Sequence, residues 1–200
     1  MKKILLVLAA ATSPAFADPS FEQQAQSAQR VKHAEDVVWA LGAKCDEGDD
    51  VQQRECRHVR DARAQAYAGA TLLVEGDGAG VTVSKFDPKK KSVEIRVDAT
   101  IASGDKWKVV AAGGKPIYDN GRPFADGGAA DTWTRAVDTA RSGRPFRLQV
   151  LAKVPAKASG KELALDVIGF RVFAPCDGAV IAASPPSATV DVPKDTCKKK

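Results

Sequence analysis

Two hydrophobic periods divide this chain. From Phe21 to Ala70 apolar residues recur at three- and four-residue steps, and from Thr71 onward they recur at every second position, with one helical interlude after Ala130. Phe21, Ala25, Ala28, Val31, Ala34, Val38 and Leu41 form a single stripe. Ser20 opens it with Gln23 three residues on, a capping-box pattern, and Gly42 closes it, so the pattern predicts one continuous helix. Trp39 lies beside the stripe, placed to anchor the helix onto something larger. After the acidic turn Cys45–Asp50, Asp50 is positioned to cap a second helix with Gln53 completing the box. Cys56, Val59, Ala62, Ala66 and Ala70 give it a thin stripe, with Tyr67 alongside. Small residues there predict a close helical hairpin over 18–70.

The strand period begins with Thr71–Glu75 and Val81–Phe86, which the Gly-rich run 76–80 would join as a hairpin. Asp87-Pro88 and Lys89–Lys91 make the next turn. Val93, Ile95, Val97, Ala99 and Ile101 then alternate with Ser92, Glu94, Arg96, Asp98 and Thr100, predicting one long strand with a buried and a wet face. Ser103-Gly104-Asp105 turns it into Lys106–Ala111, with Trp107, Val109 and Ala111 inward. Between Ala112 and Ala130 regular structure is expected to stop, because Gly113–Gly128 carries five glycines and two prolines. A short helix follows over Asp131–Arg141, with Trp133, Ala136, Val137 and Ala140 as its apolar face.

The longest ordered stretch is a hairpin of Phe146–Val154 and Glu162–Ala174, joined by a polar tip. Leu163, Leu165 and Val167 hold one phase of its second strand while Ile168, Phe170 and Val172 hold the other. That one-residue slip beside Gly169 predicts a β-bulge. Ala179–Ala183 and Thr189–Val192 read as final short strands. No βαβ alternation is present. The fold class expected is α+β: an N-terminal disulfide-stapled helical hairpin packed on an antiparallel β-sheet or β-sandwich of about eight strands (71–200), with one short helix inserted.

The first 17 residues change the picture of where such a domain works. Lys2 and Lys3, the apolar run Ile4–Ala11 and the small-x-small end Ala15-Phe16-Ala17 read as a signal peptide. The run is too short to span a bilayer, which takes about 20 residues. The expected localisation is therefore exported, periplasmic or secreted. Four cysteines in an exported chain read as two disulfides, and proximity favours Cys45–Cys56 with Cys176–Cys197. A zinc site from Cys45, Cys56 and His58 lacks the usual ligand spacings, and the acidic turn lacks the spacing of a calcium loop.

Charge adds little. The sequence has 30 Lys and Arg against 25 Asp and Glu, and Lys2, Lys3 and Lys198–Lys200 account for the whole excess. Between those ends the signs alternate, as on a solvated surface, which argues against a nucleic-acid partner. The same balance argues against adhesion to polyanions or anionic lipid through Lys89–Lys91 and Lys198–Lys200.

Chemistry is sparse. The two histidines, His33 and His58, sit on predicted helices among charged neighbours, and no G-x-S-x-G, H-E-x-x-H or C-x-x-C pattern occurs. No cofactor is expected. The reading is an exported, non-catalytic binding or structural module of a bacterial-type cell envelope or periplasm, acting on an envelope or extracellular partner. The alternative is a small secreted hydrolase using carboxylates. Candidate binding residues are Tyr118, Asp119, Asn120, Arg122 and Phe124, because the Gly- and Pro-rich run mixes aromatic, charged and amide groups suited to ligand contact.

Overall fold

In order along the chain, the computed structural model has α1 (Phe21–Ser27), β1 (Gln29–Val31), α2 (Ala34–Gly42), α3 (Asp50–Tyr67), β2 (Thr71–Gly76), β3 (Val81–Asp87) and β4 (Ser92–Val97). They are followed by β5 (Thr100–Ser103), β6 (Lys108–Ala111), β7 (Tyr118–Pro123), α4 (Gly127–Arg141), β8 (Arg147–Lys153), β9 (Glu162–Phe173) and β10 (Val180–Ser184). Residues 19–76, 78–141, 143–155, 161–176 and 178–185 are described. The expected leader 1–17, the hairpin tip 156–160, the strand Thr189–Val192 and Cys197 lie outside them.

The chain is an α+β protein with two sheets. The larger runs β1-β2-β8-β9-β6-β5, with β10 beside the C-terminal half of β9; the smaller runs β3-β4-β7. Most neighbours are antiparallel, as expected, but β1–β2 and β6–β9 pair in parallel. Val81, Val93, Ile95 and Val97 of the small sheet share one core with Leu72, Val74, Val150 and Ala152 of the large one. Val37 and Val38 of α2 and Trp133 and Val137 of α4 complete it. Among the described residues no helix is long and apolar enough to cross a membrane.

The expected first helix is two helices separated by a strand. Phe21 of α1 is buried with Leu73 and Leu151, whereas α2 buries Ala34, Val37 and Val38 with Leu72 and Val74. Leu72 and Leu73 are consecutive in β2 and so point to opposite faces of the sheet. A rigid helix cannot bury one stripe on both faces. The chain therefore rounds the sheet edge as β1, pairing Gln29–Val31 with Leu72–Val74. The Ser20–Gln23 capping box forms as predicted.

The second helix differs in its start and its face. Asp49, not Asp50, is the N-cap, accepting from the backbone of Val51 and Gln52, and Gln52 returns the bond. Its expected stripe is largely solvated: Val59 is 44% exposed, Ala62 and Ala66 are exposed as well, and only Cys56 and Ala70 of that set turn inward. The half-buried side is Gln53, Cys56, Arg60, Ala64 and Tyr67, and no residue of α3 is fully buried. The Cys45–Cys56 disulfide staples this helix to the end of α2, as expected. Cys176 is disulfide-bonded as well.

The strand pattern is corrected in three places. β2 and β3 do not form a hairpin; they lie in different sheets, so the Gly-rich turn is a crossover between layers. The long strand expected from Val93 to Ile101 divides at Asp98 into β4 and β5, one in each sheet. The run expected to be irregular contains β7, which pairs with all of β4 from Ser92↔Pro123 to Val97↔Tyr118, and α4 starts at Gly127 rather than Asp131. Gly121 fits there because a Cβ would come within 2.9 Å of Ser92 Oγ, and Pro123 is tolerated at the end of an edge strand.

The hairpin of β8 and β9 is as read. Phe146, Leu148, Val150, Ala152 and Val154 are all buried. Opposite β8 the register passes from Gly169 to Val167, leaving Ile168 unpaired as the bulge, 40% exposed.

Candidate functional site

A cleft of about 550 Å³ lies between the α2–α3 connection and the ends of β6 and β9. Its upper wall follows from how α2 stops. The Ala43 N–H bonds to Trp39 O, and the chain then turns through Cys45 at φ 55 and Gly48 at φ 86 before Asp49 caps α3. Arg60 Nη1 donates to Ala43 O at 3.1 Å, and the Arg63 guanidinium lies 5.3 Å from the centre of a Trp39 ring. With the disulfide, these contacts hold α3 on α2 although α3 has no buried residue of its own.

The lower wall comes from the sheet. Gly104 N–H bonds to Trp107 O at 2.9 Å across the β5–β6 turn. Trp107 lies so close to Gly104 that a Cβ there would meet the indole Nε1 at 2.5 Å. Parallel pairing of β6 with β9 then sets Lys161 beside this turn, its carbonyl accepting from Lys108 N–H at 2.9 Å.

Charge is divided between the walls. Glu35, Asp46 and Glu47 line the helical side and outweigh Lys44 there; Lys106 and Lys161 line the sheet side. None of these six side chains is ion-paired with another described residue. Trp39 and Trp107 give the cleft its aromatic surface. Two further hollows, of about 170 and 200 Å³, are below the usual size of a small-molecule site, roughly 300 Å³ and upward.

The sequence-derived candidates lie elsewhere, on and just after β7. Tyr118, Asn120 and Arg122 are opposite Val97, Ile95 and Val93, on the core-facing side of the small sheet. Tyr118 meets Phe170 with ring centroids 5.1 Å apart. Arg122 lies over Trp133 at 4.9 Å and Phe124 at 5.8 Å, and Phe124 packs on Trp133 at 5.5 Å. Burial holds the Arg122 guanidinium below its usual pKa, with Tyr118 opposing the shift. Asp119 points the other way and accepts from Arg96 Nη1 at 3.3 Å, while Asn120 Oδ1 accepts from Gly121 N–H. The fold thus brings Arg122 and Phe124 together over Trp133, keeps Tyr118 on the same face against Phe170, and turns Asp119 away from them.

His33 is the N-cap of α2 and His58 lies mid-α3, both exposed. Among the described residues no group of three or more His, Cys, Asp or Glu is placed to hold a metal ion. Neither a family model nor a curated protein nor a solved structure matches this chain.

What the cleft offers is a set of surfaces: two indoles, a carboxylate side and an ammonium side. Such groups can hold a ligand by stacking and by charge-assisted contact. Trp39 and Trp107 were visible in the sequence as apolar anchors, but nothing in it joins Lys161 to Lys106. The parallel β6–β9 pairing does that.

Proposed function

We propose that the protein is an exported, non-catalytic binding module whose ligand site is the cleft between the helical hairpin and the β6–β9 end of the large sheet. The observation that carries this reading is the cleft's composition. Two tryptophans and six charged side chains without ion-pair partners among the described residues line a space of about 550 Å³. That volume is within the range of small-molecule sites, which combine apolar surface with a few polar groups that fix orientation. Export is supported by the leader-like residues 1–17 and by a disulfide that an oxidising compartment would maintain.

Calorimetric screening of the purified mature chain against amino acids and short peptides, neutral sugars and small carboxylic acids tests the site. At least one class should bind, and Trp107→Ala should weaken that binding about tenfold or more. Binding that Trp107→Ala and Trp39→Ala both leave intact places the ligand elsewhere and rejects the cleft. The mass of the chain recovered from the periplasm or medium tests export, with loss of residues 1–17 the expected result.

A further inference from the structure

We infer that the ligand of this cleft is a short zwitterionic peptide carrying an aromatic side chain, an inference that rests on the cleft being the binding site. The argument is the separation of charge. Glu35 comes from α2 and Asp46 and Glu47 from the α2–α3 connection, whereas Lys106 comes from the β5–β6 turn and Lys161 from the start of β9. Opposite charges on one rim would normally pair. Here they line facing walls and pair with no described residue.

A ligand with one charge satisfies one wall and leaves the other facing only solvent. A peptide with a free ammonium and a free carboxylate satisfies both, and only one orientation does so. Its amino end turns to Glu35, Asp46 and Glu47, and its carboxylate turns to Lys106 and Lys161. Charge-assisted hydrogen bonds of this kind are the stronger ones and add direction as well as affinity. Between the two ends lie Trp39 and Trp107, whose indoles suit an aromatic ring in offset or edge contact. Arg63 over Trp39 and Gly104 under Trp107 hold both rings in place before any ligand arrives, which lowers the ordering cost of binding.

Calorimetry with L-phenylalanyl-L-phenylalanine, its N-acetyl form and its C-terminal amide separates the contributions. The free dipeptide should bind, and each blocked form should bind about tenfold or more weakly. Lys106→Met with Lys161→Met should weaken the free and N-acetyl peptides but leave the amide unchanged. Glu35→Gln with Asp46→Asn should weaken the free peptide and the amide but leave the N-acetyl form unchanged. All four side chains are exposed, so these variants keep the fold. Equal affinity for the three peptides overturns the inference, as does binding that ignores both pairs of substitutions. If no peptide binds while a neutral sugar or a simple acid binds and depends on Trp107, the inference fails and the cleft remains the site. If nothing in the screen depends on Trp107 or Trp39, both fail.

Discussion

The carbonyl oxygen of Ile101 stands 2.1 Å from where a Cβ on Gly76 would be. Gly76 ends β2 and Ile101 belongs to β5, so the contact lies where the chain leaves the large sheet for the small one. The neighbour is backbone and has no rotamer to change. Gly76→Ala should therefore cost roughly 3 kcal/mol, the upper part of the range for overpacking a well-filled interior. Gly127→Ala is the control. Its Cβ would meet only Phe86 ring carbons at ordinary distance, and alanine at a helix start should leave stability unchanged or raise it by about 0.5 kcal/mol. Urea unfolding measures both, and similar midpoints for the two variants would contradict the crossover geometry.

The disulfide should act locally. With no fully buried residue, α3 depends on Cys45–Cys56, Arg60 and Arg63 for its place on α2. Replacing Cys45 and Cys56 together by Ala should cost about 3 kcal/mol by loop-closure entropy. Hydrogen exchange should accelerate across α3 and leave β8 and β9 protected. Uniform acceleration across the sheets would mean that the staple supports the core rather than one helix.

Asp49→Ala removes the oxygen that accepts from both Val51 and Gln52. A lost N-cap typically costs about 1 kcal/mol. Exchange of the first-turn amides of α3 should rise by about fivefold, while Asp50→Ala, outside the cap, should not raise it. Equal effects from the two would move the cap back to the position suggested by the sequence.

Arg122 separates packing from charge. Its guanidinium is half-buried over Trp133 and Phe124, and burial lowers its pKa, so the fold bears a desolvation cost for the charge. Arg122→Met keeps an unbranched chain over the rings and removes the charge; it should change stability by less than about 1 kcal/mol. Arg122→Ala removes the cover as well and should cost about 1–2 kcal/mol. Thermal unfolding gives the comparison, and equal losses would show that the cation itself, rather than the side chain's bulk, holds the corner.

What the sequence made legible was whatever depends on neighbours in the chain. The Ser20–Gln23 box, the apolar face of α4, the Phe146–Val154 phase of β8 and the bulge beside Gly169 are all local patterns, and each is found. What was hidden depends on distant partners. Phe21 and Val31 share a helical period, yet the first is buried against Leu73 and Leu151 and the second on the opposite face. β7 was masked by Gly121 and Pro123, whose fitness for a strand comes only from Ser92 beside them and from the edge position. The cleft was hidden for the same reason. Lys161 and Trp107 are far apart in sequence, and only a parallel pairing, which no hairpin pattern announces, brings their strands together.

The path of the N-terminal segment around the sheet edge also makes its contacts depend on distant parts of the chain. Phe21 has nowhere to go until Leu73 and Leu151 lie side by side, and β1 has no partner until β2 is in place. The partners of α1 thus include residues synthesised long after it. The segment from Phe21 to Val31 straps the sheet edge from both faces, as a latch holds a door.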